Sequence, residues 1–368
     1  LKRMQINQRS KNQTSAILLL LCCFLFACKK DKPGGSYTLP STDTTRQVLV
    51  VCEGSLGNGN SALTLYLPNK DSVYEDVYKA ANGQSLGDVF QSITPIGSNY
   101  FLCINNSDKI LVINKTDWTL QSSISIPKPR YILPVSEHKA YVSSLFSNKL
   151  YTIDPVTMQT TDTIVMPYQN TEGLTLSNDG NSVLVCVWDT ANNHLYSVDI
   201  ATNTPTQSTT LAGYAPQEAF YDKEGKLWVL SGNVTKKKDA ALTRIDPVSG
   251  NVIKTYQFPT GADVVRPVTN IAKDSIYFIE VNYTGGTQYN GVYRMNINDA
   301  TLPSQAFVQA TAYQYFWGLG VDPLSGNIYV ADPKGFVQKG SVYIYSPDGT
   351  KTDEFKTSVG PGHIYFKI

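Results

Sequence analysis

The feature that most constrains this chain is a unit that recurs about every 40–50 residues along most of its 368-residue length. The unit is a short apolar strand that ends in a turn signal, often Asp-Pro followed by Thr, Ser or Gly. It occurs at Leu63–Pro68, Ile110–Asn114, Leu150–Pro155, Leu195–Asp199, Leu242–Pro247, Val292–Asn296 and Val342–Pro347. Taking Leu67, Asn114, Asp154, Asp199, Asp246, Asn296 and Ser346 as equivalent, the spacings are 47, 40, 45, 47, 50 and 50 residues. A period of this size carrying β-type sequence matches a four-stranded propeller blade. Tyr, Thr, Ser, Asn and Val are abundant, as β-rich chains require.

Each repeat has companion strands. A second strand precedes the first, as at Val48–Cys52, Tyr100–Ile104, Val183–Val187 and Ile328–Ala331. A third comes earlier still, as at Ser92–Ile96, Tyr131–Val135, Gly173–Leu176, Glu218–Tyr221, Val268–Ile271 and Gly318–Val321, and a fourth follows, as at Val252–Phe258. In chain order these are strands a to d. The first repeat lacks strand a, while His363–Ile368 is a spare strand with nothing after it. One missing inner strand and one surplus strand imply a closed ring, which removes the long exposed edges of an open array. The expected fold is all-β, a seven-bladed β-propeller over 47–368 closed by pairing of the C-terminal strand with the first blade. A pair of β-sandwiches explains neither the period nor the spare strand.

The N-terminus reads differently. Lys2, Arg3, Arg9 and Lys11 precede an apolar run from Ala16 to Ala27, too short to span a bilayer and typical of a secretory signal. The run ends Leu25-Phe26-Ala27-Cys28, which resembles a bacterial lipobox. The expectation is a lipoprotein signal peptide over 1–27, lipid on Cys28 and a flexible tether over 28–46. An ordinary signal peptide or an uncleaved anchor are the alternatives. Loss of residues 1–27 leaves 27 basic against 30 acidic residues, so nothing points to nucleic acid. Cys52, Cys103 and Cys186 sit inside apolar strands and read as small buried hydrophobes. His138, His194 and His363 are scattered, and no Cys-x-x-Cys spacing exists in the mature part, so neither a metal nor a cofactor is expected.

Val51–Ser61, Ala81–Ser92, Asn105–Ser107, Lys128–Ile132 and Lys139–Val142 run in an order that resembles the YncE-like surface propeller lipoproteins of Bacteroidetes. That group includes corrinoid-capturing (BtuG-type) members that sit over a TonB-dependent outer-membrane transporter. The resemblance implies an outer-membrane, lipid-anchored protein, with the cell surface as the expected orientation. It further implies a small-molecule ligand, with a corrinoid such as cobalamin suspected, delivered to such a transporter.

Strand direction places the starts of strands a and the b–c loops on one face. Near those starts lie Gln91, Arg130, Glu172, Gln217, Arg266, Trp317 and His363, one per repeat around the central channel. The b–c loops add Asn105, Asn106, Phe146, Trp188 and Tyr283. Amides, arginines and aromatics in one rim suit a polar-edged ligand. Each has a structural alternative: Arg130 and Glu172 pairing across adjacent blades, Trp188 and Trp317 packing between blades, Asn105–Ser107 forming a turn. No Gly-x-Ser-x-Gly, His-Glu-x-x-His or Gly-rich phosphate loop is present, so the chain is expected not to be an enzyme. The alternatives are a cell-envelope interaction scaffold and a calcium-dependent, lactonase-like hydrolase using Glu53 or Glu172 with Asn105.

Overall fold

The computed structural model describes residues 46–282 and 286–367, and the expectations for the signal, Cys28 and nearly all of the tether fall outside them. The described chain forms seven four-stranded sheets, each with its strands in antiparallel order. Blade 1 is Pro361–Lys367, Gln47–Cys52, Ala62–Leu67 and Ser72–Tyr74. Blades 2 to 7 then follow in sequence, with inner strands Phe90–Ile96, Pro129–Ser136, Thr171–Leu176, Pro216–Tyr221, Asp263–Thr269 and Gly318–Val321. The ring closes as expected: Val48 pairs with Phe366, Val50 with Ile364 and Cys52 with Pro361.

The apolar b strands follow from this geometry, because both faces of a blade meet a neighbour. In blade 1, Leu49 and Val51 pack with Tyr100 and Leu102 of blade 2, while Val48, Val50 and Cys52 pack with Tyr329, Ala331 and Val342 of blade 7. A strand buried on both faces cannot alternate apolar with polar residues. The outer strands face water and show it: Gln159–Val165 is exposed at every position but Ile164. On the face opposite the b–c loops, the Asp-Pro corners are side-chain-to-backbone turns. Asp154 accepts from the Val156 amide at 2.8 Å, and Asp246 from Val248 and Ser249 at 3.0 and 3.1 Å.

Two departures from the repeat stand out. A short helix, Val77–Asn82, links blades 1 and 2, capped by the Asp76 side chain and ended by Gly83 in the left-handed conformation. In blade 6 the outer strand shrinks to Val308–Gln309, and residues 297–307 cross the blade edge as irregular chain.

Candidate functional site

Inner strands are not plain strands. In blades 1 to 6 the register between strands a and b slips at the hub end: between Phe90 and Ser92, Pro129 and Ile132, Thr171 and Leu174, Pro216 and Glu218, Val265 and Val268, and opposite Val51 and Cys52. Each slip is a β-bulge, which sets two residues of one strand against one of its partner and re-aims their side chains. The same local device precedes five of them. Val89, Lys128, Asn170, Ala215 and Gly360 all have positive φ, between 42° and 70°, just before the hub position. Their carbonyls accept from the amides of Asn105, Leu145, Trp188, Gly232 and Glu53, at 2.7 to 3.1 Å. Each inner strand is thereby tied to the b–c loop of its own blade.

What the bulges present is a network across the hub. Arg130 donates through Nε to both carboxylate oxygens of Glu172 at 3.1 and 2.8 Å, through Nη2 to Glu172 again, and through Nη1 to Gln91. Gln91 donates to the Tyr131 hydroxyl at 3.1 Å. From blade 6, Arg266 spans the channel: Nη1 donates to Tyr131 of blade 3 at 3.2 Å and Nη2 to Glu53 at 3.2 Å. Its Nε donates to the Trp317 carbonyl at 3.3 Å, and its guanidinium lies 5.6 Å from the Trp317 ring centre. The Trp317 indole N–H donates to Glu53 at 2.8 Å. Gly362 makes room for this cluster, since a Cβ there would fall 2.2 Å from a Glu53 carboxylate oxygen.

Above the network lies a cavity of about 200 Å³, walled by Trp188, Trp317, Gln217, Glu218, Asp263 and the Asn233–Thr235 loop. Every guanidinium nitrogen of the two arginines in its floor has a hydrogen-bond partner. Glu218 does not share in this: among the described residues its carboxylate has no hydrogen bond or ion pair. Burial pushes its carboxyl up to about 7, Arg266 opposing and the Glu172 charge assisting. Burial likewise raises Glu53, against the pull of Arg266 and the Trp317 indole. Gln217 donates to the Gly232 carbonyl at 2.7 Å, which leaves its own carbonyl oxygen to accept. The Tyr131 hydroxyl already accepts twice, which leaves its proton to donate. Deeper in the channel, a second cavity of about 210 Å³ shares Tyr131, Gln217 and Glu218 and adds Thr94, Gly173 and His363. Burial, then the Arg266 charge, lowers His363 to about 4, so it is neutral at pH 7.

The structure thus gathers Gln91, Arg130, Glu172, Gln217, Arg266, Trp188 and Trp317 at one end of the hub, with His363 deeper. Asn105 is set aside from them, buried and donating to the Pro129 carbonyl at 3.2 Å within a 3₁₀ turn. Asn106 is exposed and accepts from Lys128 at 3.1 Å. Phe146 is exposed on its loop. Tyr283 lies outside the described residues. Glu53 and Glu172 each face a guanidinium, so arginine supplies the positive charge there and the set proposed for calcium, Glu53 or Glu172 with Asn105, is not assembled. Tyr131 and Glu218 were not foreseen as site residues, because strict alternation turns the neighbour of a hub residue away from the channel. A signal existed: Pro129, Pro216 and Pro361 open three inner strands and Pro267 lies inside a fourth, and proline in a sheet is confined to edges, strand starts and bulges.

Fold and hub together define a seven-bladed β-propeller with a polar, partly charged hub cavity at the b–c face. Residues 47–366 match the family described as a domain of unknown function, DUF5074, and the chain belongs to that family. No curated protein matches it. Among solved structures it is similar to a quinonprotein alcohol dehydrogenase-like protein of Bacteroides thetaiotaomicron, with a TM-score of 0.66 at 15% identity over 87% of this chain and 77% of that one. It is also similar to the periplasmic gluconolactonase of Pseudomonas aeruginosa, with a TM-score of 0.65 at 11% identity over 88% and 99% of the two chains. A 6-phosphogluconolactonase-like protein of Bacteroides uniformis gives 0.63 at 10% identity, over 88% and 100%. At these identities the likeness shows the fold alone. It nonetheless corrects the expectation that the chain is not an enzyme. Proteins named as lactonases share this architecture, so the lack of a short catalytic motif was no ground for that expectation.

Proposed function

We propose that the hub cavity binds a small polyhydroxylated ligand, one sugar ring or its lactone or acid in size. The observation that carries this reading is Glu218, an unpartnered carboxylate in a cavity flanked by two tryptophans. The free acceptors, Glu218 and the Gln217 carbonyl oxygen, call for a ligand rich in donors, and hydroxyl groups supply them. Trp188 and Trp317 offer faces for the C–H side of a ring. A volume of about 200 Å³ lies below the usual range for drug-sized ligands. A corrinoid is far larger and would engage this cavity only through a side group while lying across the mouth.

In the wider reading, the propeller is held at the outer membrane through Cys28, captures its ligand on this face and passes it to a TonB-dependent transporter. The family resemblance supports that part. A second reading follows from the same carboxylate. With its proton exchanging near neutrality, Glu218 suits a general base. A water oxygen would attack the carbonyl carbon of a bound lactone while Glu218 takes its proton. The ring C–O bond would then break and the proton would pass to the leaving oxygen.

Calorimetry with gluconate, glucono-lactone, neutral monosaccharides and cyanocobalamin tests both, alongside an assay of lactone turnover. The capture reading expects a sugar-sized ligand to bind and Glu218→Gln to abolish it; the hydrolytic reading adds turnover lost in the same variant. Cyanocobalamin binding unchanged in Glu218→Gln, with no sugar-sized ligand bound, would overturn both.

A further inference from the structure

The shortened outer strand of blade 6 leaves a cleft that the hub does not use. It lies between the outer strand of blade 5, Val252–Gln257, and blade 6, and is covered by residues 300–304. Its volume is about 460 Å³, and it shares no lining residue with the hub cavities. Glu280, on strand Ser275–Val281, opens into it. This residue is only 4% exposed, and among the described residues its carboxylate has neither a hydrogen bond nor an ion pair. Its two cross-strand neighbours are Val264, which is apolar, and Gly291, which has no side chain, so neither can pair with the carboxylate.

The remaining walls are aromatic. Tyr293 is held flat against Phe278, with ring centres 5.8 Å apart, and Tyr256 against Trp228 at 5.7 Å. Tyr289 completes the set. Lys254, at the edge, does not neutralise Glu280: its ammonium donates to the backbone carbonyls of Ala300, in the covering segment, and of Asp299 just before it. It also sits 4.6 Å from the Tyr256 ring centre, so that ring, stacked on Trp228 and carrying Lys254, is already taken, and Tyr289 and Tyr293 are the aromatic walls left to a ligand.

A carboxylate buried without a partner is costly unless it loses its charge or gains a counter-ion. Aromatic faces around a carboxylate favour one class of counter-ion, an organic ammonium, which gains both ion pairing and cation–π attraction. We propose that this cleft binds the head group of a small alkylammonium ion, with Glu280 as its counter-ion and Tyr289 and Tyr293 as its aromatic walls. Burial alone pushes the Glu280 carboxyl up to about 7, so the cleft holds a fully ionised carboxylate comfortably only when a cation is present.

The test is calorimetry of the full chain with n-butylammonium and with choline, using n-butanol as the neutral control. Saturable binding of the cations and none of butanol is expected. Glu280→Gln keeps the shape and removes the charge; it should leave the melting temperature unchanged or higher and weaken cation binding by at least about thirtyfold. Glu218→Gln, in the hub, should leave cation binding unchanged, which separates this proposal from the hub reading. Absence of saturable cation binding, equal binding of butanol, or full binding by Glu280→Gln would each overturn it.

Discussion

Replacing Glu218 by glutamine gives the most direct measure of how the hub treats charge. The ordinary glutamate value is 4.5, and burial raises this carboxyl to about 7. Between those values the unfolded chain has released the proton and the fold retains it. The unfolded state therefore binds fewer protons across that window, and stability falls as pH rises from about 4.5 to about 7, then levels off. At about 1.36 kcal/mol per unit, the accumulated loss is roughly 3 kcal/mol. The glutamine side chain has no proton to lose and keeps the shape of the acid. The Glu218→Gln variant should therefore match the parent near pH 4.5 and exceed it by that amount at about pH 8. For a fold of about 320 residues, with an unfolding entropy on the order of 0.7 kcal/mol/K, the gap is about 5 °C in melting temperature. His363 works in the opposite sense. It is neutral in the fold down to about 4 against an ordinary 6.5, so it adds stability as pH rises through 4 to 6.5. That contribution is common to both proteins and cancels in their difference. Melting curves from about pH 4.5 to about pH 8 decide the matter: two parallel profiles, with a gap that does not grow with pH, refute the reasoning.

Other perturbations read other parts of the hub. Glu172→Ala leaves the Arg130 guanidinium buried beside an apolar stub and should cost about 3–5 kcal/mol, whereas the double replacement Arg130→Met with Glu172→Leu should cost far less; chemical denaturation of the three variants measures both. Gly362→Ala places a Cβ 2.2 Å from Glu53 Oε1, so Glu53 or the closing strand must shift. A loss of about 1–3 kcal/mol is expected, with a change in Trp317 fluorescence as its bond to Glu53 is disturbed. Burial pushes the thiols of Cys52 and Cys103 up to about 12, and that of Cys186 well above its ordinary value. All three should resist iodoacetamide at about pH 8 in the native protein and react once it is unfolded, as peptide mapping would show.

Much of the fold was legible because it rests on a local pattern repeated many times. The doubly buried b strands demand continuous apolar runs, and the Asp-Pro corners demand turn residues, so both write themselves into every repeat. Closure was legible from the count of strands alone. The hub ring was partly legible, since residues at the starts of strands a must face the channel. What stayed hidden was set by relations between distant positions. The pairing of Arg130 with Glu172 across adjacent blades was open to sequence reading, but that Arg266 reaches across to Tyr131 and Glu53 depends on channel width, which no spacing records. The helix Val77–Asn82 and the two-residue outer strand of blade 6 are departures from the period, and a search for the period passes over them.

The bulges explain why a ring built from ordinary strands can both hold itself together and keep groups available to a ligand. A regular strand would present one side chain per blade at the mouth, and in a buried channel that group must find a partner. A bulge presents two. In blade 3, Arg130 is engaged with Glu172 and Gln91, while Tyr131 retains a donor facing the cavity. In blade 5, Gln217 is tied to the Gly232 carbonyl, while Glu218 is left without a partner. The first residue of each pair stabilises the hub and the second is free for recognition. Substitutions at Arg130 should therefore lower stability, whereas Glu218→Gln should weaken ligand binding while stabilising the fold at neutral pH, although the two positions line one cavity.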